Sequence, residues 1–371
     1  MTRSVLLVGG VPLPSATSVF ETVAAELGGL VQRIPDGDQR GWLRAVRTSL
    51  LDNPALERGR KVEISVGGVE LTLFHLKHGL ASSDLTLGPY GYADTAIESF
   101  REFRRLRDQG VIAHGTRFQV TMPGPGTSAY MVTLPPDELL PIAREALERE
   151  VQKLVENIPN DDLTIQLDIA MEAEHEEYRR RPEAFETPIH EVFDWTLEQM
   201  ADSVAWLADR IPERVELGFH ICSIWHHYQP GGQDNAAIVD EANAILSRIS
   251  RPVTYIHVPT IPEHGPDDFA AFRDLRLGPG TKLYLGVIHP SDGLADTRRR
   301  IAHARDSLPF EFGIASFCGL GNPAMLGLTP AAEDLRTTTY GTSLHRDLRG
   351  AAAASVSEVL AMHREAAQEP I

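Results

Sequence analysis

Short apolar runs alternate with longer amphipathic segments along most of the chain, and this pattern is typical of a parallel α/β fold. Eight of the runs have the length and composition of strands, and apolar residues at helical spacing follow most of them. The predicted strands are Ser4–Gly10, Val69–Leu76, Arg117–Met122, Leu163–Ile169, Glu216–Cys222, Pro252–Val258, Lys282–His289 and Phe310–Cys318. Because eight such alternations make a (β/α)8 barrel, we predict that residues 1–371 form a single TIM-type barrel domain.

Two local motifs bear on this assignment. The pair Gly67-Gly68 separates Lys61–Val66 from Val69–Leu76 and predicts a β-hairpin, whose second arm we assign as the second barrel strand. A doubly wound sheet fits the local patterns nearly as well, but that fold would place G-x-G-x-x-G after its first strand. The sequence Val8-Gly9-Gly10-Val11-Pro12 lacks that spacing, so the barrel is favoured.

The composition limits the class of partner. A chain of 371 residues that is 42% apolar can bury a large core. Its formal charge of −17, from 35 basic and 52 acidic residues, disfavours nucleic acid and anionic membranes as partners and suits a neutral or cationic small molecule. We find neither a signal peptide nor an apolar run of about 18 residues, so we expect a cytoplasmic protein. The two cysteines are then available as thiols.

Both cysteines and several histidines fall at the carboxyl ends of predicted strands, where barrels carry their chemistry. In Glu216–Cys222, the alternation of strand residues puts His220 and Cys222 on the same face. Neighbouring strand ends can converge on one ion, and thiolates with imidazole select zinc. The residues at these ends are His220, Cys222, His257, His289 and Cys318. The alternative is that the cysteines fill the core and the histidines bond to loop carbonyls.

At these residues the sequence resembles the catalytic barrel of the cobalamin-independent methionine synthases, in the superfamily of zinc-dependent thiol alkyltransferases that also includes uroporphyrinogen decarboxylases. Phe219-His220-Ile221-Cys222 is similar to the family's His-x-Cys motif, and Ser316-Phe317-Cys318-Gly319-Leu320 to its second zinc cysteine. Ile165-Gln166-Leu167-Asp168 resembles the strand whose Asp helps hold the amino-acid thiol. Val8-Gly9-Gly10-Val11-Pro12 resembles the turn that meets the substrate carboxylate.

The resemblance implies that zinc activates a thiol such as homocysteine, which then receives a methyl or other alkyl group. The expected partners are a small-molecule thiol and an alkyl donor, either a folate, a methyl-corrinoid protein or another compound. A homo-oligomer is left open. For substrate binding the resemblance implies Asp168, Gly9 and Gly10. A buried Asp168 carboxylate would be costly without a cation, and the ammonium group of an amino-acid thiol would serve.

The sequence departs from the family at two positions. His257 stands where the family carries a glutamate zinc ligand, and Glu263 follows later in the chain. Gly10 stands where the methionine synthases carry serine. We predict that His257 replaces the glutamate as a ligand. The alternative is that His257 hydrogen-bonds behind the ligands while Glu263 or water binds the metal.

Further polar and aromatic residues lie near the expected barrel mouth. Candidates for protonating the donor's leaving group are His289, Asp292 and His226, and candidates for lining the pocket are Trp225 and Tyr228. Two other functions stay open, namely a decarboxylase that needs no zinc and a zinc-binding barrel without alkyltransferase activity. The decarboxylase would want arginines for its carboxylates, and no arginine cluster lies near the end of the first predicted strand.

Overall fold

The computed structural model describes residues 2–38, 42–64, 69–184, 195–222, 233–261, 263–321 and 349–371. The strands in these ranges are β1 Val5–Leu6, β2 Arg33–Pro35, β3 Leu56–Ile64, β4 Val69–Leu76, β5 Arg117–Pro123, β6 Leu163–Ile169, β7 Glu216–Ile221, β8 Tyr255–Pro259, β9 Lys282–Ile288 and β10 Phe312–Ser316.

The α-helices are α1 Ala16–Leu27, α2 Trp42–Leu51, α3 Tyr92–Asp108, α4 Pro125–Ala129, α5 Pro136–Asn157, α6 Met171–Arg180, α7 Leu197–Ala208, α8 Asn235–Leu246, α9 Pro266–Ala270, α10 Gly293–Ser307 and α11 Arg349–Ala366. Short 3₁₀ turns lie at Ser82–Asp84, Pro182–Ala184 and Ala271–Asp274. Of the helices described, none combines the length and apolar character needed to cross a bilayer.

Eight parallel strands form one sheet in the order β1-β10-β9-β8-β7-β6-β5-β2. Between the two ends of this order, Val5 forms a parallel bridge with Val31, and its amide donates to the carbonyl of Leu30 at 3.0 Å. The sheet therefore curls into a nearly closed barrel with helices outside it. The predicted (β/α)8 fold is confirmed.

The position of the second barrel strand was predicted wrongly. That strand is Arg33–Pro35, which pairs with β5, whereas Val69–Leu76 pairs antiparallel with Leu56–Ile64 in a separate two-stranded sheet. The predicted hairpin is thus confirmed outside the barrel, although Gly67-Gly68 lies beyond the described residues. A strand of three residues that contains arginine and proline gives no apolar alternation, so hydrophobic periodicity favours the longer apolar run instead.

Strand alternation separates an apolar layer from a polar barrel interior, as β6 illustrates. All seven of its residues are buried. Leu163, Ile165 and Leu167 belong to the main hydrophobic core between sheet and helices, while the alternate residues face inward. The inner face of β6 carries Gln166 and Asp168, the latter near the carboxyl end of the strand. Polar groups of β6 are therefore available inside the barrel near its carboxyl end.

An ion pair network fills the amino-terminal part of the barrel interior. Arg33 is 2% exposed and donates through Nε and Nη2 to one oxygen of Glu216 at 3.1 and 3.0 Å. The same oxygen accepts from Thr164 Oγ1 at 2.9 Å, and Arg117 lies 3.3 Å from the other oxygen. The Arg33 guanidinium also lies 4.7 Å from the centre of the Tyr255 ring. This network ties β2, β5, β6, β7 and β8 together below the site.

Candidate metal centre

Three adjacent strands place polar side chains side by side at the carboxyl end of the barrel. In the parallel register, Asp168 on β6 is opposite His220 on β7, which is opposite His257 on β8. Cys222 follows β7 directly, and its amide donates to the carbonyl of Ile169 at 2.8 Å. Cys318 lies two residues beyond the end of β10. Four strands therefore deliver side chains to one region.

His220, Cys222 and Cys318 form a cluster of metal-capable groups, which we call the ligand cluster. One ligand atom from each residue lies within 4.8 Å of the others. His220 and Cys222 are each 2% exposed, and Cys318 is partly buried. One imidazole and two sulfurs in a buried site are a donor set that suits zinc. The buried Nε2 of His220 has no hydrogen-bond partner among the described residues, so it is available to a metal ion. The residues present therefore fit a zinc ion.

The ligand cluster favours a charged sulfur even without a metal. A hydrogen bond with Cys222 lowers the pKa of the Cys318 thiol well below its usual value, and burial opposes this shift while His220 adds to it. Burial alone would lower the pKa of His220, but its hydrogen bond with Cys318 and the charge of Asp168 raise it. Both hydrogen bonds to Cys318 therefore favour its thiolate, which is the form of cysteine that binds metal.

His257 lies outside the ligand cluster. Its Nδ1 is 2.7 Å from Nδ1 of His220, and its Nε2 is 3.1 Å from the carbonyl oxygen of Ser316, so protein atoms contact both ring nitrogens. Burial, followed by the charge of His220, lowers the pKa of His257 well below its usual value. Glu263, the alternative ligand, lies in an exposed position after β8. The structure brings neither residue into the cluster.

The turn after β1 packs directly against the segment that carries Cys318. Gly9 and Gly10 have φ angles of +143° and +40°, which side chains disfavour. A Cβ atom added to Gly319 would lie 2.9 Å from the carbonyl oxygen of Gly9, and one added to Gly9 would lie 2.9 Å from Thr121 Oγ1. Because no side chains separate these backbones, Gly9 and Gly10 lie beside the cysteine.

Asp168 adjoins the ligand cluster on the β6 side. Gln166 Nε2 donates to its Oδ1 at 2.8 Å and also to the carbonyl of Val8. Burial raises the pKa of Asp168 to about 7, although the charge of His220 and the Gln166 hydrogen bond pull it downward. A carboxyl group so poised ionises readily when a cation such as a substrate ammonium approaches.

Some residues of the site were not singled out from the sequence. Tyr255 donates its hydroxyl hydrogen to Gln166 Oε1 at 2.9 Å, and so orients the amide that holds Asp168. Thr121 has a buried Oγ1 without a hydrogen-bond partner among the described residues, next to Gly9. The sequence feature that points to Gln166 as a site residue is its position on the inner face of β6. Tyr255 and Thr121 occupy inward positions on their strands, and strand alternation could have found them.

Of the candidates for proton transfer and for lining the pocket, the structure describes His289 and Asp292. The His289 ring is 3% exposed and stacks on Phe317, with ring centres 4.9 Å apart. Asp292 pairs with the fully buried Arg300 at 2.8 Å, which favours a structural carboxylate over a proton donor. His226, Trp225 and Tyr228 lie outside the described residues. Their predicted roles stay predictions.

The Asp168→Asn variant is expected to stabilise the metal-free protein at pH 8 and to lose this advantage towards pH 4. The folded pKa of Asp168, about 7, lies above the unfolded value of about 3.9. The folded state therefore binds more protons between these values, and the stability due to protonated Asp168 is complete below pH ~4 and lost as the pH rises through 7. At about 1.4 kcal/mol per pKa unit, the gain at pH 8 is on the order of 4 kcal/mol.

Urea denaturation of both proteins in chelator, from pH 4 to pH 8, measures this difference. The asparagine Oδ1 still accepts from Gln166, so the hydrogen bond between them is kept. A difference in the free energy of unfolding that does not change with pH would contradict the burial of an ionisable Asp168.

The sequence matches no protein-family model and no curated protein. Two solved structures resemble the fold. A Listeria monocytogenes protein provisionally assigned as a vitamin-B12-independent methionine synthase aligns with a TM-score of 0.51 and 13% identity, over 94% of this chain and 86% of that one. A B12-independent methionine synthase from Shewanella sp. W3-18-1, in complex with selenomethionine, aligns with a TM-score of 0.51 and 11% identity, over 98% and 97%. At these identities, the likeness shows the barrel fold alone.

Proposed function

We propose that the protein is a zinc-dependent alkyltransferase that moves a methyl or other alkyl group to the thiol of an amino acid such as homocysteine. The observation that carries this proposal is the convergence of His220, Cys222 and Cys318, whose ligand atoms lie within 4.8 Å of one another at the carboxyl end of the barrel. Two sulfurs and one imidazole there favour zinc over magnesium or calcium.

The structural neighbours support an amino-acid thiol as the acceptor. Both are assigned as methionine synthases, and one was solved with selenomethionine, an amino acid whose chalcogen carries a methyl group. In this chain Asp168 lies opposite His220 in the strand register, where it would pair with the substrate ammonium. The turn at Gly9 and Gly10 would receive the carboxylate, on a backbone free of side chains.

The chain's own residues would hold and orient the reactants. The ligand cluster would hold the zinc ion through one nitrogen and two sulfurs. A bound zinc ion would supply Lewis acidity, which lowers the pKa of a thiol beside it and keeps the sulfur nucleophilic at neutral pH. Asp168, fixed by Gln166, would keep the amino acid in one orientation.

In the transfer, the substrate sulfur forms a bond to the alkyl carbon while the bond from that carbon to the donor breaks. The electron pair of the broken bond goes to the donor's leaving atom, and the thiol proton balances the charge on that atom. The donor is a folate, a methyl-corrinoid protein or another alkylated compound.

We expect the purified protein to carry about one zinc ion per chain. The acceptor half of the reaction can be tested without knowing the donor, after zinc is exchanged for Co²⁺. L-Homocysteine should then strengthen the sulfur-to-cobalt charge-transfer band and release a proton. L-Homoserine is the matched control, because its hydroxyl group replaces the thiol. Mass spectrometry with 5-methyltetrahydrofolate or methylcobalamin then tests for the S-methyl product.

The outcomes separate the proposal from its alternatives. Absence of stoichiometric metal in the purified protein would contradict zinc chemistry. The alternative of a decarboxylase that needs no zinc would then be favoured. Bound metal whose spectrum no thiol changes would point to a zinc-binding barrel without alkyltransferase activity.

A further inference from the structure

We propose that His257 is a positioning residue, which fixes the ring of His220 and leaves Nε2 of His220 as the nitrogen that binds the metal. This inference rests on the proposed zinc function and replaces the ligand role predicted for His257. Its basis is a chain of hydrogen bonds from Ser316 through His257 to His220.

The donor and acceptor at each step of this chain follow from elementary chemistry. The Ser316 carbonyl can only accept, and it lies 3.1 Å from Nε2 of His257, so that nitrogen carries the hydrogen. A neutral imidazole has one ring hydrogen, and therefore Nδ1 of His257 is an acceptor. Nδ1 of His220, 2.7 Å away, must then donate. The metal-binding lone pair of His220 is left at Nε2, a buried atom with no hydrogen-bond partner among the described residues.

The packing around His257 holds this arrangement in place. His257 is fully buried, and a Cβ atom added to Gly286 on β9 would lie 3.1 Å from its Nε2. Ser316 ends β10 two residues before Cys318, and its hydroxyl donates to the Cys318 carbonyl at 2.8 Å. The segment that sets the position of one cysteine ligand therefore also sets the orientation of the histidine ligand.

This role changes the coordination expected of the site. Both ring nitrogens of His257 contact protein atoms. The described residues therefore offer the metal ion one nitrogen and two sulfurs as ligands. A tetrahedral zinc ion held by three side chains keeps its fourth position for a substrate. The substrate thiol would then enter without displacing a side chain.

Two variants of the full-length protein separate positioning from mere packing. His257→Leu fills the space but cannot accept from His220, and we expect it to bind zinc about 10–100-fold more weakly in competition with a chelator. His257→Asn places Oδ1 where Nδ1 stood and should recover most of that affinity. His264→Leu is the matched control, because His264, which follows β8, is also a buried imidazole. It belongs neither to the ligand cluster nor to the chain of hydrogen bonds from Ser316 to His220.

X-ray absorption by zinc in the parent protein gives a readout that does not depend on any variant. One imidazole and two sulfurs are expected, and a second imidazole would overturn the inference by making His257 a ligand. Equal losses of affinity in His257→Leu and His257→Asn would also overturn it, as would an unchanged affinity in His257→Leu. A parent protein that binds no zinc would instead reject the proposed function itself.

Discussion

Replacing Cys318 by serine is expected to strip the protein of zinc and to abolish thiol alkylation. Cys318 supplies one of the two sulfurs of the ligand cluster, and its hydrogen bond with Cys222 lowers the pKa of its thiol well below the usual value. A serine hydroxyl holds its proton far more tightly and is a poor ligand for zinc. The loss of zinc affinity should exceed the roughly 10–100-fold that follows removal of an outer hydrogen-bond partner of a ligand. Elemental analysis and the homocysteine assay measure both effects.

Denaturation with and without a chelator distinguishes loss of metal from loss of fold. Ligands that bind only the folded state stabilise it, so zinc should raise the denaturation midpoint of the parent protein but not of Cys318→Ser. In chelator the two proteins should unfold at similar denaturant concentrations. Stoichiometric zinc in Cys318→Ser would refute the ligand cluster.

The convergence of His220, Cys222 and Cys318 was predictable because it depends on two general rules. Strand alternation put His220 and Cys222 on one face of β7, and parallel strands of a barrel present their carboxyl ends on the same side. Cys318 follows another strand of the same barrel, so it had to arrive at that side as well. Neither rule requires knowledge of the side-chain packing.

The hydrogen-bond contacts of His257 could not be predicted in this way. His257 shares the inward face and the strand-end position with His220, and the sequence pattern treats the two residues alike. What separates them is the contact of His257 with the Ser316 carbonyl on β10, a strand that is not its neighbour in the sheet. Such a contact depends on barrel curvature and on the bulge between Ile314 and Ser316, which the sequence pattern does not reveal.

The short strand β2 escaped prediction for a related reason. Arg33 is charged and does not belong to any apolar pattern in the sequence. It is nevertheless buried, because Glu216 on another strand compensates its charge. The compensating residue is 183 positions away in the sequence. Where burial of a charge depends on a distant partner, hydrophobic periodicity gives no signal for the strand.

The Glu216→Ala variant is expected to lose about 3–5 kcal/mol of stability, because it leaves the buried Arg33 without its counterion. Arg33 is 2% exposed and donates two hydrogen bonds to Glu216, and Arg117 contacts the same carboxylate. Without the carboxylate, the two guanidinium groups would also repel each other. Because the network links five barrel strands below the ligand cluster, its loss should loosen the support of the site as well.

The exposed ion pair between Lys153 and Asp94 provides the matched control for this prediction. Its side chains are 47% and 64% exposed, so Asp94→Ala should change stability by less than about 1 kcal/mol. Urea denaturation gives both values, provided that the dependence of the unfolding free energy on urea is the same as in the parent. If Glu216→Ala were no more destabilising than Asp94→Ala, the burial of Arg33 could not depend on Glu216, and another group would have to balance its charge.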